Sequence, residues 1–326
     1  MKIRPQKPKL RTRKLNPLFS PFTKGRQGGI SIVNCQSSIL NQRGSALIIT
    51  LLIITLLVSI TVEFAYEVFV GTSALSNWRS AQKASLTAKS GQALSAQYIK
   101  DIAKLPYTRI SEISLPVTKD FGDGTALTVN IVDENSKFNI NSIIFQNGLT
   151  DEKALASLKK LFEHLNIRPS IALAIADWID PDLEPRLKDS EYKAKNSYLW
   201  SIDELKLIDE IDEETFKTVN PFLTVHGNGQ ININTAGLPV LISLHDDITE
   251  TAAKRTIDYR ETAPFENTTD LQRVSGMETM GPLLLGKITV KSSNFRVVAT
   301  ATVNDITREV ESVMETSLMV HYWREG

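Results

Sequence analysis

The chain has 326 residues, 37 basic and 37 acidic, and its formal net charge is zero. With 42% apolar residues it can bury a real core, which excludes global disorder. A single cysteine, Cys35, excludes an internal disulfide framework and a cysteine-based zinc cluster, and the four histidines (His164, His226, His245, His321) form no His-x-x-x-His pair.

The zero hides a split. No Asp or Glu precedes Glu63, while residues 1–44 hold ten Lys or Arg. The remainder has 27 basic and 37 acidic residues, a net charge of about −10. Such asymmetry points to an encounter with a membrane or a nucleic acid.

Residues Ala46–Val62 carry no charge. At ~1.5 Å per residue they cover roughly 26 Å, close to a bilayer core of about 30 Å. A soluble core helix rarely stays apolar on every side. The positive-inside rule keeps the basic head cytoplasmic and sends the acidic bulk across. A secretory signal has its small residues after the apolar run. Here Arg43-Gly44-Ser45 comes before it, at the cytoplasmic edge.

From Glu63 to about Lys104 the chain lacks proline, and Phe64, Val68, Leu75, Trp78, Leu86, Leu94, Tyr98 and Ile102 recur at helical spacings. The anchor helix is therefore expected to continue to Pro106, weakened locally at Gly71 and Gly91. Alternation predicts strands at Thr125–Val132, Lys287–Val290, Phe295–Val303 and about Val310–Tyr322, with a turn at Asn304-Asp305. One strand thus precedes, and several follow, a helical block near 134–285.

That block contains an internal echo. Phe138-Asn139-Ile140-Asn141-Ser142 matches Ile231-Asn232-Ile233-Asn234-Thr235. Ala174–Trp178 loosely matches Thr256–Tyr259, and Ser201–Leu205 with Ile208 loosely matches Thr268–Leu271 with Val274. The Asn residues suit capping, and Ser201 with Glu204 fits a capping box. A duplicated helical module follows.

Within the first repeat, Asp180, Asp182, Glu184, Asp189 and Glu191 lie within twelve residues, stiffened by Pro181 and Pro185. Such oxygen ligands suit calcium; a solvated acidic loop is the alternative. No Gly-x-Ser-x-Gly, P-loop or dinucleotide fingerprint occurs, and the acidic loop has no neighbouring His, so no enzyme is expected.

The Arg-Gly-Ser junction followed by an uncharged 17-mer resembles the leader of type IV pilin-like proteins. The resemblance implies prepilin peptidase cleavage between Gly44 and Ser45, with N-methylation of the new terminus. The pilin-like family usually carries Glu at the fifth mature position; here that position is Ile49, which resembles the minor pseudopilin K family of type II secretion systems. Asp177-Trp178-Ile179-Asp180-Pro181-Asp182, Tyr192-x-x-x-Asn196, Glu204-Leu205-x-x-Ile208 and Asn232-Ile233-Asn234-Thr235-Ala236 are similar to the helical domain of that family.

The resemblance implies an α+β fold: a pilin-like long N-terminal helix packed on an antiparallel sheet, with a large inserted all-α domain built from a duplicated SAM-like or helix-hairpin-helix-like module. The implied organisation is a basic leader at 1–44, the N-terminal helix at 45–104 with 45–62 transmembrane, a β domain from 105–133 and 286–326, and the insert at 134–285. It implies minor pseudopilins I and J, major pseudopilin G, prepilin peptidase and inner-membrane lipid as partners, and a periplasmic head. It also implies calcium in the helical domain, although the family's usual loop glycine is replaced around Lys188-Asp189-Ser190. A minor type IV pilin is an alternative. A helix-hairpin-helix DNA receptor is another, resembled by Asn232–Met277, but its turn, Leu244-His245-Asp246-Asp247-Ile248, has two carboxylates and no glycine to cradle phosphate.

Overall fold

The computed structural model describes residues 45–117, 124–188 and 190–326. Helix α1 runs Ser45–Ala103 without a break. Residues 45–66 form one compact unit and are exposed throughout. Residues 67–326 form the other.

In the second unit, β1 (Glu112–Val117), β2 (Thr125–Asp133), β7 (Asn294–Val303), β8 (Ile306–Glu315) and β9 (Val320–Glu325) make one sheet in the order β1-β2-β7-β8-β9. All pairs are antiparallel. Alternate residues face α1: Leu127, Val129 and Ile131 from β2, and Phe295, Val297, Ala299, Ala301 and Val303 from β7. This period-2 pattern made β2 and β7 visible in the sequence.

The helix face against the sheet is made of small residues: Ser80, Ala84, Thr87, Ala88, Gly91 and Ser95, with Ile99 near its end. Gly91 is not a weak point. A Cβ there would stand 2.9 Å from the Ala299 Cβ and 3.1 Å from a Val129 methyl, so glycine sets how closely helix and sheet approach. Gln92 is buried on the same face. Its Nε2 donates to the carbonyls of Val310 (2.7 Å) and Val297 (3.2 Å), and its Oε1 accepts from Ser312 Oγ (2.6 Å).

Asn304 and Asp305 join β7 to β8 with φ of 47° and 68°, the backbone of a two-residue primed turn that suits right-twisted strands. Two strand expectations differ from the structure. A single strand over 310–322 is split: β8 ends at Glu315, the chain turns with Leu318 at φ 69°, and β9 returns. The turn lacks the Gly or Asn that marks positive φ, so the sequence conceals it. Strand β1 is not among the expected strands: Ile113, Leu115 and Val117 do alternate towards the core, but the run is short, only half-buried and carries Pro116.

Between β2 and β7 the chain builds the helical insert. Its elements are β3 (Phe138–Asn139), α2 (Glu152–His164), α3 (Ile171–Ile179), α4 (Glu213–Val219), β4 (Leu223–Thr224), β5 (Ile231–Asn232), α5 (Leu238–Ser243), α6 (Glu250–Thr262), α7 (Met280–Leu283) and β6 (Ile288–Thr289). Two-residue β3 pairs in parallel with β4, and β5 likewise with β6. Each half thus opens on an Asn-x-Asn strand and closes on its parallel partner. One continuous apolar core, including Phe162, Ile175, Leu205, Leu241, Phe265 and Leu271, joins the halves.

The insert leaves the sheet at Asp133 and returns at Phe295, two residues directly paired across β2 and β7. The same strand end adjoins the C-terminal end of α1, because Glu112 of β1 pairs with Val132. At the other strand end, Lys83 Nζ reaches Thr125 Oγ1 and Asn304 Nδ2 reaches Ser80 Oγ. The insert therefore stands at the C-terminal end of α1.

Candidate functional site

The apolar anchor carries four hydroxyls that the hydropathy alone does not explain. Thr50 and Thr55 donate to the carbonyls three residues back (both 2.9 Å); Ser59 and Thr61 donate to those four residues back (2.9 and 2.7 Å). Each polar atom is satisfied within its own helix, as a lipid environment demands. Ser45 starts the helix and Ile49 is exposed on its first turns. Gly44, the other half of the expected cleavage site, lies outside the described residues.

A buried polar junction fastens the insert to the sheet. Asp133 accepts from Asn135 N–H (2.8 Å), Thr235 Oγ (2.6 Å) and Ser292 Oγ (2.6 Å). Burial nevertheless pushes its carboxyl up to about 6. Asn232 Nδ2 donates to Ser292 Oγ (2.7 Å) and to Thr108 O (3.1 Å), tying in the segment after α1. Next to it, Glu134 is fully buried. Burial would raise its carboxyl, but the nearby Lys137 and Arg296 cations outweigh this and hold it at about 2. Lys137 Nζ stands 2.8 Å and Arg296 Nε 3.0 Å from Glu134 Oε1, while Arg296 also binds Glu311. Sequence reading missed Asp133, Glu134 and Arg296, because the first two are neighbours whose partners Thr235, Ser292 and Arg296 lie far along the chain and form no local motif.

The echo in the insert is a real structural repeat. Asn139 Oδ1 accepts from Asn141 N–H, and Asn232 Oδ1 from Asn234 N–H, both at 2.9 Å. Asn141 then clamps Leu199: its Nδ2 donates to Leu199 O and its Oδ1 accepts from Leu199 N–H, both at 2.9 Å. Asn234 clamps Phe265 in the same way, at 2.9 and 2.8 Å. Two residues beyond each clamped residue, a capped 3-10 turn begins. Glu204 accepts from Ser201 N–H (3.1 Å), and Asp270 from Asn267 N–H (2.9 Å). Ile208 and Val274 close the two turns.

The acidic loop follows α3. Asp177, not among the expected ligands, is fully buried and accepts from Arg186 N–H (2.9 Å), Leu187 N–H (3.0 Å), Arg186 Nη1 (2.9 Å) and Ser190 Oγ. Arg186 Nη1 also bonds Asp180 Oδ2, and Nη2 donates to Thr150 Oγ1 (2.6 Å). Asp180 is buried, and burial raises its carboxyl above the usual range. Asp182 and Glu184 are exposed, and Asp182 Oδ1 accepts from Glu184 N–H (2.8 Å). Asp189 and the Glu191 side chain lie outside the described residues.

Of the expected carboxylates that are described, the structure therefore buries Asp180 and leaves Asp182 and Glu184 on the surface. Among the described residues no three His, Cys, Asp or Glu converge as a metal site. Two buried oxygens nonetheless lack a partner there: Asp180 Oδ1 and Asn196 Oδ1. Asn196 lies across the start of the loop, its N–H on Trp178 O (3.0 Å) and its Nδ2 on Asp182 O (3.4 Å). Uncovered carboxylate and amide oxygens are the type of ligand atom that a hard cation such as calcium takes.

The turn between α5 and α6 is occupied from within. Lys160 Nζ, from α2, donates to the carbonyls of His245, Asp246 (2.9 Å) and Ile248 (3.3 Å). Asp246 and Asp247 are exposed at its mouth. This arrangement places negative charge where a phosphate-binding hairpin needs donors.

An apolar anchor helix running into a helix-on-sheet domain defines a pilin-like α+β protein; the duplicated helical insert narrows the class further. Two sequence profiles, both described as "Type II secretion system (T2SS), protein K", match residues 136–228 and 231–291 in succession. Both halves of the helical insert thus match the type II secretion system protein K family. Among similar proteins, type II secretion system protein K of Pseudomonas aeruginosa is 25% identical over 167 residues, 46% of this chain and 49% of its own length. The chain thus aligns with about half of that relative. The Pectobacterium carotovorum protein of the same description is 27% identical over 250 residues, 67% of this chain and 75% of its own length. A chain in the crystal structure of the GspK-GspI-GspJ complex from enterotoxigenic Escherichia coli superposes with a TM-score of 0.62 at 18% identity, covering 78% of this chain and 99% of that one.

Proposed function

We propose that this protein is the minor pseudopilin at the tip of a type II secretion pseudopilus. There it nucleates filament assembly with minor pseudopilins I and J and primes addition of the major pseudopilin G, for export of folded proteins across the outer membrane. The observation that carries this reading is the position of the insert. It is a domain of about 160 residues, fixed by the Asp133 junction at the C-terminal end of α1. In a filament of parallel helices, that end faces the next subunit. A bulky domain there is compatible with a terminal place, where nothing stacks above.

Ile49 supports the same reading. A carboxylate in a bilayer needs a partner, which in pilin filaments is a neighbour's amino terminus; an apolar residue there dispenses with the contact. The apolar anchor supports a single-pass inner-membrane subunit; in this reading a prepilin peptidase cuts after Gly44 and the head lies in the periplasm. Its role is mechanical rather than catalytic. Ile49→Glu is expected to reduce secretion sharply, because no amino terminus faces a tip subunit. Undiminished secretion by that variant contradicts the tip role.

Calcium is proposed as a structural ligand of the acidic loop. Asp180 and Asn196 would hold it with their uncovered oxygens, and Asp182 and Glu184 adjoin on the exposed side. The ion would supply a cross-link between the end of α3 and the chain at Asn196. In the full-length chain in detergent, millimolar calcium should raise the thermal midpoint relative to chelator; an unchanged midpoint rejects this ligand.

A further inference from the structure

The loop from Asp180 to Tyr198 has no counterpart in the second half of the module. Asn141 clamps Leu199, and Asn234 clamps Phe265, by the same pair of bonds. Between helix and clamp the first half has residues 180–198, while the second has only Ala263 and Pro264. The repeat closes its core without such a loop, so the first-half loop is an addition to the fold. Long connections of this kind in compact domains usually serve a function.

One residue of the added loop holds it down. Arg186 Nη1 bridges Asp177 and Asp180, and Nη2 reaches back to Thr150. Asp177 is saturated by these bonds, by two backbone N–H groups and by Ser190. Asp180 is not: Oδ2 is taken by the guanidinium while Oδ1, buried, has no partner. A cation seated at Asp180 must share that carboxylate with a fixed positive charge. Their mutual repulsion in a poorly solvated site opposes metal binding. With Arg186 the two buried carboxylates carry a net charge of −1; without it they carry −2, the charge a divalent ion neutralises.

We propose that Arg186 is a built-in counter-ion that competes with calcium for Asp180 and so sets the metal affinity of the loop. The proposal rests on the calcium reading above. Under it, the loop stays closed on α3 when metal is scarce, through Arg186 alone, and takes up calcium only at concentrations that overcome the guanidinium.

The test is calorimetric titration of calcium chloride into the full-length chain in detergent, with thermal unfolding in parallel. Arg186→Gln should bind calcium at least about tenfold more tightly than wild type. Its thermal midpoint should be lower in chelator and recover on adding calcium. Arg186→Lys keeps the charge but loses the planar fork, and should fall between the two; it carries the test if the Gln variant does not fold. Adding Asp180→Asn to either variant should abolish the gain. Equal or weaker calcium binding by both Arg186 variants overturns the competition and leaves the calcium site standing. No calcium heat from any of these proteins removes the calcium site, and this proposal with it.

Discussion

Gly91 offers a sharp test of how α1 meets the sheet. Replacing it with alanine has two opposed effects. In a helix interior, alanine is favoured over glycine by about 1 kcal/mol. Against this, the new Cβ falls 2.9 Å from the Ala299 Cβ, 3.1 Å from Val129 Cγ2 and 3.2 Å from Leu127 Cδ1. Ala299 has no rotamer with which to yield, so helix and sheet must separate along a face where Ala84, Ala88 and Ile99 are fully buried. Overpacking of this kind costs about 1–3 kcal/mol. The net expectation is a loss of about 1 kcal/mol. For the unit of some 260 residues this lowers the thermal midpoint by roughly 2–4 °C. The coupling is the decisive quantity. Ala299→Gly alone should destabilise, since it opens a gap and weakens a strand, but combined with Gly91→Ala it restores the room. Urea unfolding of the four proteins in detergent should give a favourable coupling of at least about 0.5 kcal/mol. Strict additivity would refute the close approach as the reason for glycine.

Three further predictions concern the junction and the repeat. The Asp133 carboxyl is raised to about 6 from an ordinary 3.8, so its contribution to stability is present below pH 3.8 and lost as pH rises to about 6; the stability of wild type minus that of Asp133→Asn should grow by up to about 3 kcal/mol as pH falls from 7 to 4, and a pH-independent difference contradicts the burial. Glu134 works in the opposite sense, its share present above pH 4.5 and lost as pH falls towards 2. Arg296→Met removes the cation shared by Glu134, which keeps Lys137, and Glu311, which keeps Arg324, and should cost about 1.5–3 kcal/mol at neutral pH, read by urea unfolding; a cost under 1 kcal/mol would show the cluster is not a lock. Asn141→Ala and Asn234→Ala each orphan a buried backbone N–H and C=O, at about 2–4 kcal/mol; similar losses are expected from equivalent clamps, and a loss at one site alone would argue against equivalence.

Much of this was legible in the chain because the signals were local. The uncharged stretch 46–62, the β-branched alternation of β2 and β7, the Asn304-Asp305 turn and the paired Asn-x-Asn motifs each occupy a few consecutive residues. What stayed hidden depends on partners distant in sequence. Gln92 reads as a solvent-facing helix residue until the carbonyls of Val297 and Val310 are brought to it. The acidic loop shows the same limit at closer range. Asp177, Asp180, Asp182 and Glu184 look alike by composition, yet helix phase and a local turn bury the first two and expose the others. The sequence also gave no hint that Arg186, apparently a surface cation, turns inward to meet the buried pair.

The central claim is the terminal place of this subunit in the filament. Pseudopili assembled with a C-terminally tagged full-length chain and imaged by electron microscopy with a gold-labelled probe test it directly. The account predicts label at one end of each filament and none along its length. Label distributed along the shaft would contradict it.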